Sequence, residues 1–127
     1  MAESHKKWEV FARDYRRYIR LEKHLSENTV DAYMRDLEEF AHYIMRWFDV
    51  PPERVEQPMI ERYMAWLYDE GRSRASQARR LSGIKSFYNF LLLGDRIEQL
   101  PTEYIEAPKA RRTLPDVLTL DEIDALV

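Results

Sequence analysis

The sequence predicts an all-α fold of four helices. Three observations lead there. The 127 residues include only three glycines, Gly71, Gly83 and Gly94, too few for a turn-rich β-protein. Apolar side chains recur at three- and four-residue steps along four segments, and no alternating run competes for a sheet. Apolar residues make up 45% of the chain and aromatics 13%, a globular composition at a length that supports one core.

The first helix rests on Trp8, Phe11, Tyr15, Tyr18 and Ile19, a single amphipathic stripe. Ser26, following Leu25, is a suitable N-cap for the second. Behind it Val30, Tyr33, Leu37, Phe40, Ala41, Ile44, Trp47 and Phe48 keep one apolar face, with Asp31, Arg35, Glu38, Glu39, His42 and Arg46 opposite. Pro51 and Pro52 stop it. A third helix opens near Pro58, buries Met59, Ile60, Tyr63, Trp66 and Leu67, and meets a C-terminal cap at Gly71. The fourth runs from about Ser73 to Leu93 on a core face of Leu81, Ile84, Tyr88 and Leu91, with Phe87 beside them and Gly94 as its cap. Short connections between four such helices make a bundle spanning residues 1–94.

Beyond Gly94, Pro101, Pro108 and Pro115 punctuate a segment holding Lys109, Arg111 and Arg112, which predicts an extended interdomain linker over 95–118. Thr119 to Glu122 form a capping box followed by Ile123, Leu126 and Val127. Residues 119–127 are therefore expected to be the first turns of a second domain, absent from an excised N-terminal one. Without cysteine there are no disulfides and no thiolate metal sites, which fits a reducing compartment. The opening MAESHKKWEVFARDYRR has no secretion-signal pattern, and no window approaches the roughly 18 apolar residues of a membrane span. The expectation is a soluble, cytoplasmic chain.

A net charge of −3 hides an uneven distribution. Residues 72–93 carry five basic side chains and no acid, whereas residues 1–71 carry 11 and 15, and residues 113–127 carry four acids alone. At about 100° per residue, Arg72, Ser76, Arg79, Gly83 and Ser86 share one stripe of the fourth helix, away from the core, flanked by Ala75 and Ser82. Small residues between arginines allow a helix to approach a groove closely, with arginines reaching phosphates or guanine edges. Gly83 costs a helix interior about 1 kcal/mol relative to alanine, a cost that close approach would explain. A solvated face, with a helix-packing reason for Gly83, fits the same pattern. Arg80 and Lys85 border the core side and are expected to pack or to pair with acids of neighbouring helices.

Ser26, Asn28 and Thr29 offer short polar groups and free N–H groups at the start of the second helix, a fair phosphate site, although capping is the simpler role for Ser26. Arg35 faces outward and could join that surface, while Glu38 and Glu39 make the lower part unsuitable for DNA. His5, His24 and His42 lie on different elements without companion ligands, so no metal site is expected. Tyr15, Tyr18, Tyr33, Tyr63 and Tyr88 lie on apolar stripes and are better explained by packing than by nucleophilic chemistry. No set of residues assembles an enzyme active site.

The segment Leu25-Ser-Glu-Asn-Thr-Val-Asp-Ala-Tyr33 with Asp36-Leu37 and Phe40 resembles the opening of the core-binding domain of Xer-type tyrosine recombinases and phage integrases. Ala78-Arg-Arg-Leu-Ser-Gly-Ile-Lys-Ser-Phe-Tyr88 with Phe90-Leu91 is similar to a later part of it. Ile105-Glu-Ala-Pro-Lys109, Leu114-Pro115 and Leu118 to Ile123 resemble the linker and catalytic-domain start. The resemblance implies a four-helix, SAM-like orthogonal bundle forming half of a clamp around duplex DNA, its second and fourth helices facing the major groove. Carried over by position, it favours Asn28, Thr29, Arg35, Arg72, Ser76, Gln77, Arg79 and Ser86 as DNA-binding residues. It places the catalytic arginines, lysine, histidine and tyrosine beyond Val127, so this chain is not expected to be an enzyme. The implied partners are double-stranded DNA and sister subunits, with no membrane, small-molecule substrate or cofactor. Gly83, where relatives often carry alanine, departs from the pattern and puts helix continuity in question. The alternative to DNA binding is a helical protein–protein module whose basic helix grips an acidic partner.

Overall fold

The structure, a computed structural model, describes residues 2–106. Four helices follow one another: α1 (Ala2–Leu21), α2 (Glu27–Trp47), α3 (Gln57–Asp69) and α4 (Arg74–Leu93), with a short 3₁₀ turn at Pro52–Arg54 between α2 and α3. Among the described residues there is no strand. The expected all-α architecture is therefore the one observed, and α4 passes through Gly83 unbroken. The capping box at Thr119–Glu122 and the basic cluster at 109–112 lie outside the described residues.

The apolar stripes converge as their spacing requires. α1 packs on α2, α4 and the 3₁₀ turn, α2 on α3 and α4, and α3 on α4. Trp8 is at the centre, stacked on Phe87 at 6.0 Å between ring centroids and edge-on to Phe40 at 5.8 Å. Phe40 meets Tyr63 edge-on at 5.0 Å, and Tyr15 meets Phe87 at 5.4 Å. Edge-to-face pairs of this kind place the positive ring edge on the negative face and add to the area they bury. The polar tips of the buried aromatics find partners. Trp8 Nε1 donates to the Val50 carbonyl and the Tyr88 hydroxyl to the Pro52 carbonyl, both at 2.9 Å, so the proline-rich α2–α3 connection is bonded to the core from two sides.

Gly94 caps α4 as expected, although the left-handed turn that follows belongs to Asp95. Gly71 ends α3 with φ +82°, and the next residue, Arg72, returns its N–H to the Leu67 carbonyl at 3.2 Å. The same closure ends α4, where Arg96 N–H reaches the Leu91 carbonyl at 2.9 Å. There the left-handed residue is Asp95, with φ +59°, while Gly94 keeps φ −87°. Aspartate tolerates this region better than most side chains, so the glycine beside it is not the residue that turns the chain.

The linker expected from residue 95 begins differently. Residues 95–106 form turns, with Thr102 and Ile105 buried and Ile97 and Leu100 packed against the core. Pro101, Pro108 and Pro115 signal an extended tether; among the described residues of that segment Ile97, Leu100 and Ile105 lie against the core.

Candidate nucleic-acid interface

The basic helix α4 does not present its arginines freely. Asp36 and Glu39, one turn apart on α2, reach across to Arg79 and Arg80 of α4 and to Arg72 just before it. Arg79 is held side-on, Nε to Asp36 Oδ2 at 3.0 Å and Nη2 to Oδ1 at 3.2 Å. Arg80 bonds to Glu39 and lies 3.5 Å from Asp36. Arg72 donates to Glu39 at 2.9 Å and places its guanidinium over the Trp66 ring at 5.7 Å. Tyr63 adds a hydroxyl bond to Glu39 at 3.2 Å. The expected pairing of Arg80 with acids of a neighbouring helix is thus present, whereas Lys85 has no carboxylate partner among the described residues.

Exposure separates the three arginines. The side chain of Arg80 is 14% exposed and that of Arg72 28%, so both are largely committed to the fold. Arg79 is 53% exposed, while its partner Asp36 is 8% exposed. A guanidinium has five N–H donors, and the two bonds to Asp36 leave three of them available to a ligand. A buried carboxylate aligning an exposed guanidinium is a presentation device, and it holds Arg79 at the surface in one orientation.

Glu39 had been expected on the solvent face; it is half-buried between helices. Burial pushes its carboxyl up, but the hydrogen bond from Arg72 and the charges of Arg80 and Arg72 outweigh this and hold its pKa below the ordinary carboxylate value. Its charge is therefore balanced by α4 rather than displayed beside Arg35.

The remaining site residues fall into three environments. Ser76 lies half-buried at the start of α4, its Oγ accepting from Arg80 Nε at 3.2 Å. Ser86 does not point freely outward: Tyr15 of α1 donates to its Oγ at 2.9 Å, which leaves the serine's own hydroxyl hydrogen to give. Burial, only partly offset by that bond, pushes the Tyr15 phenol up to about 12, so it stays neutral. Gln77 is the clearest departure. It is 6% exposed, and its amide donates to the Arg72 carbonyl at 2.9 Å, inside the corner between α3 and α4 rather than on the outer face. The one-residue step from Ser76 rotates it onto the side that carries Leu81 and Ile84.

On α2, Ser26 caps the helix, accepting from Thr29 N–H at 3.3 Å and donating to Thr29 Oγ1 at 2.9 Å. Asn28 is exposed beside it. Arg35 is not brought to the α4 side. It lines a groove of about 550 Å³ between α1 and α2, together with Arg16, Asp31 and Glu38. His5 and His42 share that groove, and among the described residues no three His, Asp or Glu side chains are grouped to hold a metal.

Gly83 lies between Ser82 and Ile84 on an intact helix, and an added Cβ there would meet no atom within 4 Å. Among the described residues no helix-packing demand accounts for the glycine. Sequence reasoning missed Asp36 as a site residue. The signal was available: Asp36 is a carboxylate set three or four residues from Tyr33 and Phe40, inside an apolar series, where burial needs a partner.

The structure thus defines a helical module in which a cationic helix and its acid-bearing neighbour build one polar surface. The chain belongs to the family described as the phage integrase N-terminal SAM-like domain, whose model matches residues 12–93. It is 35% identical over 119 residues to the tyrosine recombinase XerD of Staphylococcus aureus (strain N315) and 36% identical over 119 residues to that of Staphylococcus haemolyticus (strain JCSC1435). In both comparisons the match covers 94% of this chain and 40% of the relative, so the chain spans well under half the length of these proteins. No solved structure matches it. Among the described residues no helix is long and apolar enough to cross a membrane.

Proposed function

We propose that this chain is the DNA-binding module of a site-specific tyrosine recombinase or integrase, one half of a clamp that closes on duplex DNA at the crossover site. Asn28 and Thr29 at the start of α2, with Ser76, Arg79 and Ser86 of α4, form the contact surface, with Arg72 beside it and Arg35 apart from it in the α1–α2 groove. Gln77 serves that surface indirectly by bonding the backbone of Arg72. The observation that carries the proposal is the buried Asp36 carboxylate holding an exposed Arg79 on a helix face of small residues. Such a guanidinium suits a phosphate or the O6 and N7 edge of a guanine in the major groove.

The longer protein cuts and rejoins DNA through a 3′-phosphotyrosine, with catalytic residues outside this chain and sister subunits as partners on DNA. Tyr15, Tyr63 and Tyr88 do not supply that nucleophile: each is buried, which pushes its phenol pKa above the ordinary value. The chain acts in the cytoplasm, where its DNA is.

The test is duplex binding by wild type and by the Arg72→Ala/Arg79→Ala double variant over a salt series, because phosphate-driven affinity falls steeply with salt. The double variant is expected to bind more weakly with a shallower salt dependence. Equal binding at every salt concentration would remove the α4 surface from consideration. An acidic helical partner that shifts the α4 amides when DNA does not would favour a protein-binding module instead.

A further inference from the structure

The first helix carries a cationic surface that the charge balance of residues 1–71 conceals. Arg13, Arg16, Arg17 and Arg20, with Leu21, line a groove of about 360 Å³, and no carboxylate lines it. Arg13, Arg17 and Arg20 follow i, i+4, i+7 spacing, on the opposite side of α1 from the buried Trp8, Tyr15 and Ile19. Arg16 is tied to Glu27 and Asp31 of α2 at 3.3 Å each, and Arg20 lies 3.5 Å from Glu27. Arg13 and Arg17 have no carboxylate partner among the described residues. Asp14, the acid between them and α1's apolar face, bonds instead to Arg96 at 2.8 Å. Around α4 the fold balances Arg72, Arg79 and Arg80 with the buried Asp36 and the half-buried Glu39; on α1 it leaves a positive surplus in water.

We propose that this groove is a second phosphate-binding surface, taking the sugar–phosphate backbone of the same duplex that the α2–α4 face contacts. The proposal rests on that DNA assignment. Ion pairs place the groove beside the start of that face. The bridges from Arg16 and Arg20 run to the first turns of α2, where Asn28 and Thr29 lie. A helical turn advances about 5.4 Å, so guanidiniums on successive turns form a row suited to a polyanion rather than to one carboxylate. Such contacts position a protein on DNA and carry no sequence information.

The experiment compares four forms of the 127-residue chain on a fluorescent duplex of about 30 base pairs, by anisotropy across a salt series. Removing two phosphate contacts should lower the slope of log K against log salt by roughly two and weaken binding about tenfold at low salt. That is the expected result for Arg13→Gln/Arg17→Gln, with an unchanged melting temperature. Arg46→Gln/Arg62→Gln removes equal charge from the last turn of α2 and from α3; Arg46 lies roughly 27 Å along the helix from Asn28. This control should leave the slope as in wild type. Wild-type affinity and slope in Arg13→Gln/Arg17→Gln would overturn the proposal, as would an equal effect of the control pair. Weakening by Arg79→Ala in the same series would then show the DNA assignment standing while the α1 groove falls. Absence of duplex binding by wild type at every salt would refute both.

Discussion

Replacing Asp36 by asparagine separates two roles of an acid on the surface proposed to face DNA, because they predict effects of opposite sign. Asparagine has nearly the same shape, but one carboxylate oxygen becomes an amide NH2, which donates and cannot accept. Of the bonds at 3.0 and 3.2 Å to Arg79, one is lost, and the charge that aligns Arg79 and faces Arg80 disappears. A hydrogen bond to a charged group contributes about 1.5–3 kcal/mol. Arg79 is half in water and Arg80 keeps Glu39, so the net loss of stability should be near the lower end, about 1–2 kcal/mol. For DNA, removing a negative charge makes the surface more positive, and a purely long-range role would tighten binding. If Asp36 instead presents Arg79, the guanidinium loses its fixed orientation and binding weakens several-fold despite the favourable charge change. Anisotropy at matched salt measures this directly, with circular dichroism confirming the fold. Tighter binding by Asp36→Asn would refute the presentation argument.

Three further outcomes follow from the same surface. Gly83→Ala should stabilise the chain by about 1 kcal/mol, raising Tm by roughly 5 °C, because the added Cβ meets nothing within 4 Å. Gly83→Gln should keep most of that gain in thermal melts yet weaken duplex binding, since its side chain stands on the small-residue stripe; unchanged binding would count against close approach there. Glu39, whose pKa is lowered in the fold, contributes stability that is fully present above its ordinary value of 4.5 and is lost as pH falls through the folded value. Urea titrations should therefore show the difference between wild type and Glu39→Gln shrinking below about pH 4.5.

What was legible in the sequence was what periodicity encodes. Trp8, Phe40, Tyr63, Leu81 and Phe87 each sit on a three- or four-residue apolar series, and each is buried. Ser26 and Gly71 were legible as caps because their chemistry is local. Gln77 was not, since position within a family motif says nothing of a rotation that turns its neighbour Ser76 toward the surface and Gln77 inward. Prolines signalled a tether after Gly94, but local turn chemistry cannot register that Ile97, Leu100 and Ile105 still meet core surface.

The charge pattern misled for a different reason. Residues 72–93 look like the main positive field because they contain no acid, yet Asp36 and Glu39, more than 30 positions away in sequence, balance three of their arginines. Residues 1–71 look acidic, yet Arg13 and Arg17 stand with no carboxylate partner among the described residues. Charge in a segment and charge at a surface differ whenever pairing is long-range, and here the two are nearly exchanged. If both proposed surfaces bind DNA, the consequence is a division of labour between the helices. On α4, paired arginines are few and fixed, which suits recognition where orientation decides the energy. On α1, unpaired arginines stay hydrated and adaptable, which suits a backbone contact whose strength comes from counterion release. A salt series read on variants of each helix should therefore separate them: loss of the α1 pair lowers the slope, whereas loss of the Asp36 carboxylate weakens binding with the slope nearly kept.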